Sequence, residues 1–103
     1  MLKLKSVESF VWDRGNVDKN WIKHKVKNIE CESAFFDKNK VSFKDVLHSK
    51  KEKRYILLGK TKQRRLLFIV FTSRPDGIRV ISTRDTNKKE RKMYEEANKN
   101  SKI

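Results

Sequence analysis

Two histidines and a set of arginines carry the chemistry open to this chain of 103 residues. His24 directly follows Lys23, and Arg54, Arg64, Arg65, Arg74, Arg79, Arg84 and Arg91 are spread over the second half. An imidazole changes charge near neutral pH, so it can take up or give a proton. A guanidinium presents a planar fork that pairs two phosphate oxygens at once. Together these groups suit cleavage of RNA, whose own 2′-hydroxyl is the nucleophile. A proton must leave that hydroxyl, another must reach the departing 5′-oxygen, and a doubly charged phosphorane must be stabilised. No metal is needed for those steps. Each signal is weak by itself. A lone histidine beside a lysine is more often a boundary residue, and arginines on a strand can form a solvated basic coat. His48, in a segment with no clear element, has less to recommend it than His24.

Other chemistries find no support. There is no glycine-rich phosphate loop, so no nucleotide cofactor is expected. The acids are scattered among lysines, which argues against a two-metal site, so no metal is expected either. The single cysteine, Cys31, lies in an apolar helical pattern beside acids, where a thiol is held protonated, and it reads as core. One cysteine cannot form a disulfide within the chain, which fits a reducing cytoplasm. Residues 1–6 lack an apolar signal region, and the longest apolar run, Leu66 to Phe71, is strand-sized, so no membrane partner is expected. With 27 Lys and Arg against 13 Asp and Glu, the net charge of +14 points to a polyanionic partner, of which nucleic acid is the commonest.

The elements that must position these groups amount to one α+β domain over residues 1–97, with a polar tail at 98–103 expected to be disordered. Val7 to Trp12 reads as a strand. Asp13 to Lys25 reads as a helix with Val17, Trp21 and His24 on one face. Asn28 is the expected N-cap of a second short helix, whose apolar members are Ile29, Ala34, Phe35 and Phe36. Residues 41–53 are ambiguous between strand and helical turn. Arg54 to Leu58 is a strand ending at Gly59. Leu66 to Thr72 is a central strand expected to be covered on both faces, and Ile78 to Thr83 follows the turn Arg74-Pro75-Asp76-Gly77. Thr86 or Asn87 caps a last helix reaching about Asn98. The helices are expected on one face of a mostly antiparallel sheet. On that sheet Arg54, Arg79, Arg84 and Arg91 could converge, with Tyr94 on the same helical face as Arg91.

The ordered segments Phe10-Val-Trp12-Asp13, Asn20-x-x-Lys23-His24, Ala34-Phe-Phe-Asp37, Arg54-Tyr55, Arg65-Leu-Leu-Phe-Ile-Val-Phe-Thr72, Arg79-Val-Ile-Ser82-x-Arg84 and Glu90-Arg91-x-x-Tyr94 resemble the BrnT-type toxins over roughly residues 10–95. Two positions depart from the family pattern: Lys25 stands where a glycine is typical, and Thr83 where an alanine is usual. The resemblance implies a RelE-like fold with two N-terminal helices, a small sheet and a C-terminal helix. It implies metal-independent RNA cleavage that stops translation, and Lys23, His24, Arg79 and Arg84 match the family's polar signature; with Arg54, taken from the strand pattern, they are the catalytic candidates. Arg65, Arg74, Glu90, Arg91 and Tyr94 are the RNA-binding candidates. It also implies neutralisation by a BrnA-like antitoxin, a ribbon-helix-helix DNA binder, in a two-plus-two complex that reaches operator DNA only through the antitoxin. Two other readings remain beside it, a basic module that binds RNA or DNA without cutting, and a toxin of the same fold that acts on gyrase.

Overall fold

The structure, a computed structural model, describes residues 9–48 and 51–99. Two short helices, α1 (Lys19–His24) and α2 (Asn28–Ala34), precede four strands: β1 (Val41–Lys44), β2 (Tyr55–Lys60), β3 (Leu66–Arg74) and β4 (Gly77–Asp85). A 3-10 turn, Val46–His48, separates β1 from β2, and the helix α3 (Lys88–Ala97) follows the sheet. The strands pair antiparallel in chain order. The α+β class and the three-helix arrangement are therefore as expected. The ambiguous segment resolves into β1 and the 3-10 turn. Of the strand expected at Val7–Trp12, residues 7 and 8 lie outside the described residues, and Phe10 makes a single parallel bridge to Ile78.

Register decides which side chains meet. Tyr55, Leu57 and Gly59 of β2 stand opposite Phe71, Ile69 and Leu67 of β3, and Val80 and Thr83 of β4 extend the same face. Val26, Cys31, Ala34 and Phe35 bury that face, with Phe35 edge-on to Phe71 at 5.0 Å and to Phe10 at 5.2 Å between ring centroids. Gly59 does not end β2, which runs on to Lys60. A side chain there would bring its Cβ within 2.5 Å of the Ala34 carbonyl, so the glycine lets the end of α2 lie directly on the sheet.

The second face is only partly covered, contrary to the expectation for β3. Leu67, Ile69 and Phe71 are fully buried, whereas Leu66, Phe68 and Val70 alternate with them and stay half-buried. Alternation follows from the period of two along a strand, and the opposite face must find its own cover. That cover is α3 at one end. Glu90 of α3 binds Arg84, and the Lys60 ammonium lies 5.4 Å from the Tyr94 ring centroid, both partners projecting from the second face. The helices thus divide between the faces.

The first helix corrects the sequence reading most. It begins at Lys19, after turns, and buries Asn20 rather than an apolar stripe, while Trp21 and His24 are exposed. The reason is the free edge of β4, whose unpaired backbone groups need polar partners. Asn16 Nδ2 donates to the Val80 carbonyl (3.0 Å), Lys19 Nζ donates to the Ile81 carbonyl (3.2 Å), and the Thr83 amide donates to Asn20 Oδ1 (2.8 Å). Ser9 and Val11 continue the seal by backbone hydrogen bonds with Ile78. In α2 and the turn that follows it, Cys31, Ala34 and Phe35 are buried as core, but Ile29 and Phe36 are exposed. Asn28 is the first helical residue and Lys27 the cap. Asn87 caps α3 as expected, through a capping box with Glu90.

Candidate functional site

A bulge in β4 sets up the site. Val80 pairs with Phe71 and Ser82 with Val70, which leaves Ile81 as the extra residue. Arg79 and Arg84 are five residues apart, and strict alternation would send them to opposite faces. With the bulge, Arg79 stands opposite Thr72 and Arg84 opposite Phe68, on the same open face. That face holds a cavity of about 460 Å³. Its floor is Ile56, Phe68, Val70 and Ile81, and its polar rim is Asp45, His48, Arg54, Ser82 and Arg84.

Arg84 sits over the Phe68 ring, its Cζ 4.0 Å from the centroid, and makes two 2.8 Å hydrogen bonds to the Glu90 carboxylate. The pairing holds the Glu90 carboxyl below the usual range. Arg79 pairs with Asp13 and Arg74 with Glu52, and these hydrogen bonds hold both carboxyls low. Arg54 and Arg79 also lie near enough to act on Glu52 by charge. Arg54, Arg74 and Arg79 therefore gather round Glu52 at one end, and Arg54 with Arg84 flanks the groove. The sheet brings these arginines to one face, where Arg74, Arg79 and Arg84 each lean on a carboxylate and Arg84 also on the groove floor.

The remaining sequence candidates lie elsewhere. Arg65 holds the Asp85 carboxylate with two nitrogens (2.6 and 2.9 Å), Glu30 with a third contact (3.2 Å), and the Lys25 and His24 carbonyls. The Asp85 carboxylate first, and then Glu30, raise its already high pKa further. It joins α1, α2 and β4 and serves as a structural clamp. Lys23 and His24 are exposed at the end of α1 and line no part of the groove. Lys25 beside them adopts a left-handed backbone (φ 55°), which explains a glycine as the typical residue there. Thr83, fully buried, has its hydroxyl matched by the Cys31 thiol at 3.2 Å, and burial pushes that thiol up to about 11. The core role expected of Cys31 is thus what the structure shows.

Past Arg84 and Glu90 the second face runs into a cleft bordered by Lys60, Arg64, Leu66, Thr86, Arg91 and Tyr94. Arg91 donates to the Thr86 carbonyl (2.9 Å). Tyr94 is almost fully buried, and its hydroxyl donates to Asp37 Oδ2 at 2.6 Å, an oxygen that also accepts the Lys60 amide. Burial and the Asp37 carboxylate both raise the phenol pKa, so the hydroxyl stays a donor. Asn98, assigned to the tail by sequence, donates to the Asn39 and Tyr94 carbonyls, while residues 100–103 lie outside the described ones.

Asp45 and His48 are the rim residues that sequence reasoning missed. His48 Nδ1 lies 3.0 and 3.1 Å from the two Asp45 carboxylate oxygens. The Asp-x-x-His spacing on a helical turn was the available signal, hidden by the ambiguity of residues 41–53. Among the described residues no group of His, Cys, Asp and Glu could hold a metal, and no helix is long and apolar enough to cross a membrane.

The fold and groove define a class: a small, strongly basic α+β protein with arginines arrayed on one open sheet face. A family model described as the ribonuclease toxin, BrnT, of type II toxin–antitoxin systems matches residues 12–90. The chain belongs to this family of ribonuclease toxins. A search of curated proteins gave no match.

Proposed function

We propose that the protein is a metal-independent endoribonuclease that stops translation by cutting RNA, with the open face of the sheet as its site. The observation that carries this reading is the pair Arg54 and Arg84 flanking an apolar floor. Two guanidiniums across a groove can hold the non-bridging oxygens of one phosphodiester and stabilise the phosphorane. The floor of Phe68, Ile56, Val70 and Ile81 offers a surface on which a base can lie. Arg74 and Arg79 supply charge upstream of the phosphate, and the cleft of Lys60, Arg64 and Arg91, backed by Tyr94, takes the flanking nucleotides. Glu90 acts as a latch, since an incoming phosphate must replace its hold on Arg84. Lys23 and His24 fall outside this path, and Arg65 supports it structurally.

The toxin's partner is taken to be a BrnA-like antitoxin in a two-plus-two assembly that meets operator DNA through the antitoxin. A protein at +14 needs a partner with an acidic segment to cover this face. Purified protein incubated with labelled RNA in EDTA tests the reading. Cleavage that survives EDTA and disappears in Arg84→Ala supports it. Salt-sensitive binding with uncut RNA would show a binding module instead, and DNA damage with translation running would point to gyrase. A basic neighbouring gene product, or one that fails to co-purify, would sink the antitoxin assignment.

A further inference from the structure

Cleavage through the 2′-hydroxyl needs a group to remove its proton, and arginines are too basic to do so. Four features of the groove rim single out one side chain. His48 is the imidazole that lines the cavity, on the same rim as Arg54 and Arg84. Its Nδ1 faces both oxygens of Asp45, so the carboxylate accepts the Nδ1–H and leaves Nε2 as the basic nitrogen. Asp45 is itself nearly buried, and its amide donates to the Arg54 carbonyl at 2.8 Å, which fixes it to the start of β2. The imidazole side chain is 65% exposed, so a substrate can reach it. The charged groups around it are Asp45 from its own segment, Arg54 just before β2 and Arg84 from β4, with Glu90 of α3 behind Arg84.

Resting on the ribonuclease reading above, we propose that His48 is the general base of the reaction, oriented by Asp45. His48 Nε2 takes the proton of the 2′-hydroxyl as the 2′-oxygen bonds to phosphorus between Arg54 and Arg84. The bond from phosphorus to the 5′-oxygen breaks, and that oxygen takes a proton from water. The products are a 2′,3′-cyclic phosphate and a 5′-hydroxyl, and the imidazolium returns its proton to solvent. Asp45 is a positioning residue, acting through the ring it holds.

The test uses the full chain, a fluorophore-labelled RNA oligonucleotide and EDTA, with rates measured from acid to neutral pH. Wild type is expected to show an acidic limb, because a protonated imidazole cannot act as base. His48→Ala and His48→Gln are expected to lose the limb and about 10²-fold or more in rate. Added imidazole should restore cleavage to His48→Ala but not to Arg84→Ala, a distinction that a structural role for His48 would not produce. Asp45→Asn is expected to keep the limb but slow the reaction, and Asp45→Glu to recover part of the rate. Retention of the wild-type rate and pH profile by both His48 variants would overturn the proposal while leaving the ribonuclease reading intact. A wild-type protein that cuts no RNA would overturn that reading first.

Discussion

Arg65 and Arg84 each grip a carboxylate with two nitrogens, yet they stand in different settings. Arg65 meets two acids and two backbone carbonyls drawn from α1, α2 and β4. Arg84 has one acid partner, one neighbouring carbonyl and an aromatic ring beneath it, and its face opens into the groove. The number and origin of the acceptors separate the two roles. An arginine whose partners come from three elements holds those elements together. One whose partners are few and beside a cavity can exchange them for a phosphate.

Replacing Arg84 with alanine is expected to lower the cleavage rate about 10²–10³-fold, the usual cost of removing one donor to a developing charge, with little change in melting temperature. A large drop in stability instead would place Arg84 with Arg65. Arg65→Ala should show the reverse weighting, losing about 2 kcal/mol of stability, or roughly ten degrees in Tm for a domain of this size. A melting curve unchanged by that substitution would refute the clamp.

The acid limb of stability sharpens the contrast. Hydrogen bonds to Arg65 lower Asp85 below 3.8, and those to Arg84 lower Glu90 below 4.5. Carboxyls lowered in the folded state stabilise it above their unfolded pKa values, and that stability is lost as pH falls through the folded ones. Thermal stability should therefore be level from neutral pH to about 5 and fall below about 4.5. The fall should be shallower in Arg65→Ala, which has already lost the Asp85 share. The smallest effect is at the end of α1, where Lys25→Gly relieves a left-handed lysine and should raise stability by about 0.5–1 kcal/mol in a chemical melt.

The sheet was the most legible part of the fold in the sequence, because the period-two pattern of β3 and β4 and the Pro75-Asp76-Gly77 turn are local signals. Asn87 with Glu90 announced α3 in the same way. The first helix is less legible because its partner is a strand edge some sixty residues away, and the segment that seals this edge buries Asn16 and Asn20 instead of an apolar stripe. Within the site, Arg54 and Arg84 could be named from sequence, but their shared face depends on the bulge at Ile81, which has no local signature here. His48 was passed over for the same kind of reason. Its value comes from Asp45 and from two strands that reach the same cavity.

The seal along β4 also bears on how the molecule behaves in a crowd. A strand whose outward amides and carbonyls are occupied by side chains offers no template for another chain to pair with. What holds that border are short polar side chains, chiefly Asn16 and Asn20, rather than a further strand. Exchanging either for an apolar residue of similar size would uncover a ready docking rail, so such variants should self-associate before they unfold.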